Sequence, residues 1–163
     1  MRIQALFFLL SALLFPDTGA LATSSYEYGP DEYVTIAKGI SPDGKYAITA
    51  HGEGELGYEN FHLFLTDAVA GKKLAVLKEI VDTLDTGADA FCAKWSKDSD
   101  KAVIIYRVDR RELNAASYSV SNGQARLVGG PSEVTNEEQI SYWHDQCSEP
   151  QQSEKIFGTP KAH

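Results

Sequence analysis

The chain has 163 residues, 43% of them hydrophobic, with 23 acidic and 15 basic side chains and 2 cysteines, which suits one globular domain and leaves no room for two sizeable ones. The formal charge of -8 argues against a nucleic-acid binder, because affinity for a phosphate backbone needs clustered Lys and Arg to displace counterions.

The N-terminus reads as a secretory signal. Met1-Arg2 supplies one positive charge, Ala5 to Phe15 is apolar apart from Ser11, and Ala20-Leu21-Ala22 has the small-x-small pattern cut by signal peptidase. The apolar run is shorter than the roughly 20 residues that a membrane-spanning helix needs, and Pro16 stops it. Residues 1–22 are therefore expected to be removed, giving an exported protein, periplasmic or extracellular, with no membrane insertion. They carry Arg2 and Asp17 together, so the acidity belongs to the mature chain, where it favours solubility and repels anionic surfaces.

Residues 23–147 are expected to form a single β-rich domain containing a repeat. In the first set, at about 33–77, short strands are predicted at Tyr33 to Ala37, Lys45 to Ala50, Phe61 to Thr66 and Leu74 to Leu77. A second set, at about 90–128, follows at Ala90 to Trp95, Ala102 to Tyr106, Ala116 to Val120 and Ala125 to Val128. The turns repeat too. Ser41-Pro42-Asp43-Gly44-Lys45 and Ser96-Lys97-Asp98-Ser99-Asp100-Lys101 occupy the same place, offset by 55 residues, and each set has a glycine turn, Ala70-Gly71-Lys72 or Asn122-Gly123-Gln124, before its last strand.

Trp95-Ser96-x-Asp98, matched by Ile40-Ser41-Pro42-Asp43-Gly44-Lys45 and followed by two strands and a glycine hairpin, resembles the WD-like propeller blades of TolB-type periplasmic proteins. The likeness spans about residues 33–128. It implies an all-β fold of two four-stranded antiparallel blade-like meanders, and since a closed propeller needs typically four or more blades, either a small sandwich or an incomplete propeller. A sandwich would bury Ile48, Leu63, Leu65, Phe91, Trp95, Ile104, Tyr118 and Leu127 between its layers. A homodimer covering part of that surface is the alternative to a monomer.

One C-terminal helix is predicted at about 136–146. Thr135-Asn136-Glu137-Glu138 reads as a capping box with Thr135 as the cap, and Ile140 with Trp143 marks the apolar stripe. Export permits a disulfide between Cys92 and Cys147, which would pin this helix to the second meander; two free thiols are the alternative. Residues 148–163 are expected to be a flexible tail.

Three connections carry candidate binding residues. The stretch 51–62 is rich in glycine, carboxylates and histidine, and offers His51, Glu53, Glu55, Tyr58, Asn60 and His62 on an expected long loop. His51, Glu53, Glu55 and His62 are also conceivable mixed ligands for a transition metal, although their spacing matches no zinc signature. The acidic connection 82–89 contributes Asp85, with a composition suited to calcium but without the EF-hand pattern. Arg107 and Arg110 sit where the 55-residue offset places the glycine-rich stretch, and are read as either salt-bridge partners of nearby acids or a clamp for an anion.

No nucleophile elbow, P-loop or dinucleotide motif is present, and no cofactor is expected. The leading expectation is an exported binding or scaffolding module for an unknown protein or small-molecule partner. A metal-assisted hydrolase using His51 and His62 with nearby carboxylates, and an acidic inhibitor of a secreted hydrolase, are the alternatives.

Overall fold

A computed structural model describes residues 25–147 and 155–158; the expected signal peptide lies outside them. The chain order is β1 (Tyr33–Ile40), β2 (Tyr46–Glu53), β3 (Glu59–Asp67), β4 (Lys73–Val76), β5 (Phe91–Trp95), β6 (Lys101–Arg107), β7 (Leu113–Ser121), β8 (Gln124–Glu133), α1 (Glu137–Gln146) and β9 (Ile156–Phe157). Every strand predicted from alternation is present. Among the described residues the fold is mainly β with one α-helix, as expected.

The two meanders are not separate layers. They lie in one curled, open sheet of order β4-β3-β2-β1-β5-β6-β7-β8, a half-barrel joined by parallel pairing of β1 with β5. Two stacked sheets would leave the edges of both first strands unpaired, and unpaired backbone groups are costly when buried. Zipping β1 to β5 satisfies them, and curling does the work that stacking would have done. The remaining edges approach each other: Gly123 N in the β7–β8 turn donates to the Tyr46 hydroxyl at 3.2 Å, with Leu74 of β4 beside the same glycine.

The inner face holds the core. Ile48, Leu63, Leu65, Phe91, Ile104 and Tyr118 are buried in one cluster, with Trp95 and Leu127 partly buried against it, so all eight residues expected between layers do meet. Phe61, Phe91 and Tyr106 form a stacked aromatic row through this interior. The β4–β5 crossover passes over the concave side and contributes buried Leu77, Ile80, Ala88 and Ala90 to the core.

The convex face is covered in two places. Helix α1 packs Trp143 and Cys147 with Val134 over Ala37, Cys92 and Ile105, fastened by the Cys92–Cys147 disulfide. β9 pairs with β1 and sets Phe157 against Ala47 and Ala68, with Tyr33 alongside. Residues 155–158 are part of this cover, and the Lys155 carbonyl accepts from both the amide and the hydroxyl of Thr35. The helix cap is displaced by one residue. Asn136, not Thr135, accepts from the amides of Glu138 and Gln139, while the Glu138 carboxylate is drawn away to Lys94 at 2.7 Å.

The repeat is visible in the turns atom by atom. Ser41 Oγ accepts from Tyr46 N, as Ser96 Oγ does from Lys101 N. Gly44 and Ser99, equivalent by the 55-residue offset, both take positive φ, 70° and 60°. The two turns touch, since Asp43 N donates to Ser99 Oγ at 3.1 Å.

Three aspartates hold such connections. Asp43 accepts from Ser41 Oγ and from Lys45 N, and these bonds, with the Lys45 charge adding to them, hold its carboxyl down at about 2 against an ordinary 3.8. Backbone amides lower Asp67, from Ala70 and Val69, and Asp109, from Arg111 and Glu112. A carboxyl whose folded pKa is depressed contributes stability that is complete above its unfolded pKa and is lost as pH falls through the folded one. The thermal midpoint is therefore expected to hold steady above about pH 5 and to fall as pH drops from about 4 towards 2. A series of melting curves across that window checks this, and an unchanged midpoint at pH 2 would contradict it.

Candidate functional site

All three candidate connections meet at one end of the half-barrel and are tied to one another. Thr86 Oγ1 donates to the Leu56 carbonyl at 2.7 Å, joining the second connection to the first. Arg107 Nη2 reaches Asp85 Oδ2 at 3.0 Å and Leu84 N donates to the Arg107 carbonyl, joining it to the third. The Tyr28 hydroxyl donates to the Thr86 carbonyl at 2.5 Å and brings the N-terminal segment into the same network.

The first connection is shorter than expected. Residues 51–62 form an extended hairpin, with His51 paired opposite His62 and Glu53 opposite Glu59, closed by a single 3-10 turn at Glu55–Gly57. Its glycines have a steric reason. A Cβ at Gly52 would run into the Gly57 carbonyl oxygen, and Gly54 and Gly57 hold φ near 70°. Alternation missed this because the bulge between His51 and Glu53 breaks the pattern.

Pairing divides the candidate residues. His51 is buried and fixed, with Nδ1 2.6 Å from the Glu32 carbonyl, which makes that nitrogen the donor, and with its ring stacked on Tyr33 at 4.6 Å. Together with Glu53, Glu55, Tyr28 and Pro30 it borders a cleft of about 470 Å³. Tyr58, Asn60 and His62 border another, of about 390 Å³, completed by Ile80, Asp82 and Thr83. Arg107 and Arg110 line a third, of about 250 Å³, on the side of helix α1. Asp85 lines none of these three. It is buried, and it is the carboxylate that neutralises Arg107.

Among the described residues no group of three or more His, Cys, Asp and Glu side chains is placed to hold a metal ion. His51, Glu53, Glu55 and His62 thus do not form one ligand set. Two of the four, His51 and Glu53, are engaged with the Glu32 carbonyl and with Asn60 Nδ2.

The Tyr58 cleft brings three features together. Tyr58 and Val81 are each 52% exposed at its border. Asn60 and Asp82 both adopt left-handed backbone, φ 50° and 54°, a costly conformation that persists only where surrounding structure imposes it. His62 Nδ1 is buried without a hydrogen-bond partner. Behind the cleft, burial pushes the Tyr106 phenol up, and the Asp82 charge acts in the same direction.

Several contributors have no motif. Tyr28, Glu32, Ile80, Val81 and Thr86 lie in segments without strand alternation. Glu32 is fully buried, its carboxylate accepting from Gly29 N and from the Tyr26 hydroxyl, each at 2.7 Å. An acid three residues after the glycine of Tyr28-Gly29-Pro30 is a signal only once the turn is known to fold back. No family model, curated protein or solved structure matches the chain.

Proposed function

We propose that the protein is an exported binding module whose working surface is the rim around Tyr58, Asn60 and His62. The observation that carries this reading is the convergence of three connections into one hydrogen-bonded rim, because loops fixed to a rigid sheet and to one another can present side chains to a partner at low entropic cost. The repeated turns and paired meanders support kinship with TolB-type, WD-like blades. The disulfide, which persists in oxidising compartments, supports export.

On this reading, capture of a partner from the exported fraction of the host should fall by at least about 30-fold for Tyr58→Ala/Asn60→Ala, the effect of losing an aromatic anchor. Val69→Ser is the control, since Val69 is 85% exposed on the β3–β4 turn at the opposite end. Quantitative pull-down against both variants is the measurement. Equal loss in the control, or full retention by the rim variant, sinks the reading. Capture that weakens steeply with salt would identify a cationic partner for this acidic chain.

A further inference from the structure

The third cleft has a chemistry of its own. It lies between the β6–β7 connection and helix α1, and Arg107, Arg110 and Arg111 line it together with Leu113, Ile140 and Trp143. In a chain of net charge -8, three guanidinium groups beside an apolar wall are a local reversal of character.

Their partnering is incomplete. Arg107 is anchored by one nitrogen, Nη2, to buried Asp85, while its Nε is buried with no hydrogen-bond partner. Arg110 and Arg111 are exposed, and among the described residues neither has a carboxylate within 4 Å. The exposed guanidinium groups of Arg110 and Arg111 on the border of the cleft offer forked donors that match a carboxylate. Glu112 and Glu133 border the same cleft and oppose the entry of a highly charged anion. The volume of about 250 Å³ falls below the ~300–1,000 Å³ of pockets that enclose drug-sized ligands.

We propose that this cleft binds a small monoanionic carboxylate with an apolar or aromatic body. The carboxylate sits on Arg107 and Arg110, and the body lies against Leu113, Ile140 and Trp143. The proposal is independent of the Tyr58 rim, which lines a different cleft, so either can fail without the other.

The test uses the two tryptophans of the chain, Trp95 and Trp143, as reporters. Trp95 is held elsewhere, its Nε1 donating to the Gly39 carbonyl at 3.0 Å, so in nitrogen-labelled protein its indole resonance is an internal control. Phenylacetate is titrated to about 20 mM, beside phenylacetamide, its uncharged analogue, and phenyl phosphate, its more highly charged one; a Kd on the order of 1 mM is expected for a ligand this small. The Trp143 indole should move with phenylacetate and stay in place with phenylacetamide, and exposed Arg110→Ala should weaken the response about tenfold.

An unmoved Trp143, equal responses to acid and amide, or wild-type affinity in Arg110→Ala would each overturn the proposal. Tighter binding of phenyl phosphate than of phenylacetate would overturn its restriction to a single charge. Lys97→Ala, at the opposite end of the sheet, should leave the titration unchanged; a matching loss there would reduce the Arg110 effect to net charge and count against the site.

Discussion

Asp85→Ala is expected to destabilise the protein by about 3–5 kcal/mol, the cost of leaving one member of a buried ion pair without the other. Asp85 is 1% exposed and the Arg107 side chain 17%, so water replaces the lost carboxylate only in part. The guanidinium would then be held by the β6 backbone beside buried apolar groups, with its Nε already unpartnered. Replacing both, as Asp85→Ala/Arg107→Met, should recover a large part of the loss, because removing both charges also removes the uncompensated one. Chemical unfolding of the two single variants and the double variant measures this cycle. If Asp85→Ala costs less than about 1 kcal/mol, the pair behaves as a solvent-exposed one and does not hold the rim together.

The same pair shows how far the sequence could lead. The 55-residue offset, read from Ser41 and Ser96, places Asp43 on Asp98 and residues 52–57 of the first connection on Arg107–Glu112. In the fold Ala37 pairs in parallel with Cys92, the same offset again. Parallel pairing of equivalent strands relates the two repeats by a slide across the sheet, so equivalent connections fall at the same end. That is why residues far apart in the chain meet at one rim.

What was hidden is non-local. Nothing in β1 or β5 announces that they pair, because pairing uses backbone groups that every residue carries. A trace was present in the outward positions of β1, β2 and β5, where Thr35, Ala37, Ala47, Thr49 and Cys92 are small and buried. Small residues on a face that should meet water imply something packed on it, and helix α1 and β9 are what covers it. The hairpin at 51–62 was misread for a different reason. Its glycines serve close backbone approach and positive φ, whereas by composition they suggest a loose loop.

Removing the disulfide is the second large effect. The bond links Cys92 on β5 to Cys147 at the end of helix α1, 55 residues apart, and closing a loop of that length is worth about 4 kcal/mol in the chain-entropy account. Cys92→Ala/Cys147→Ala should therefore lower the melting temperature by about 10 °C. The loss should be graded along the structure. Helix α1 reaches the sheet through a small cluster around Val134 and Trp143, separate from the main core, with further ties from Lys94 to Glu138 and from the Tyr142 hydroxyl to the Ala93 carbonyl. Amides of residues 137–146 should then exchange much faster in the variant, while those of β2, β3 and β6 keep their relative protection. Uniform loss of protection would mean that the helix and the half-barrel unfold as one unit. An unchanged melting temperature would show that the side-chain ties alone seat the helix, and the third cleft, which has Ile140 and Trp143 as its wall, would then survive reduction intact.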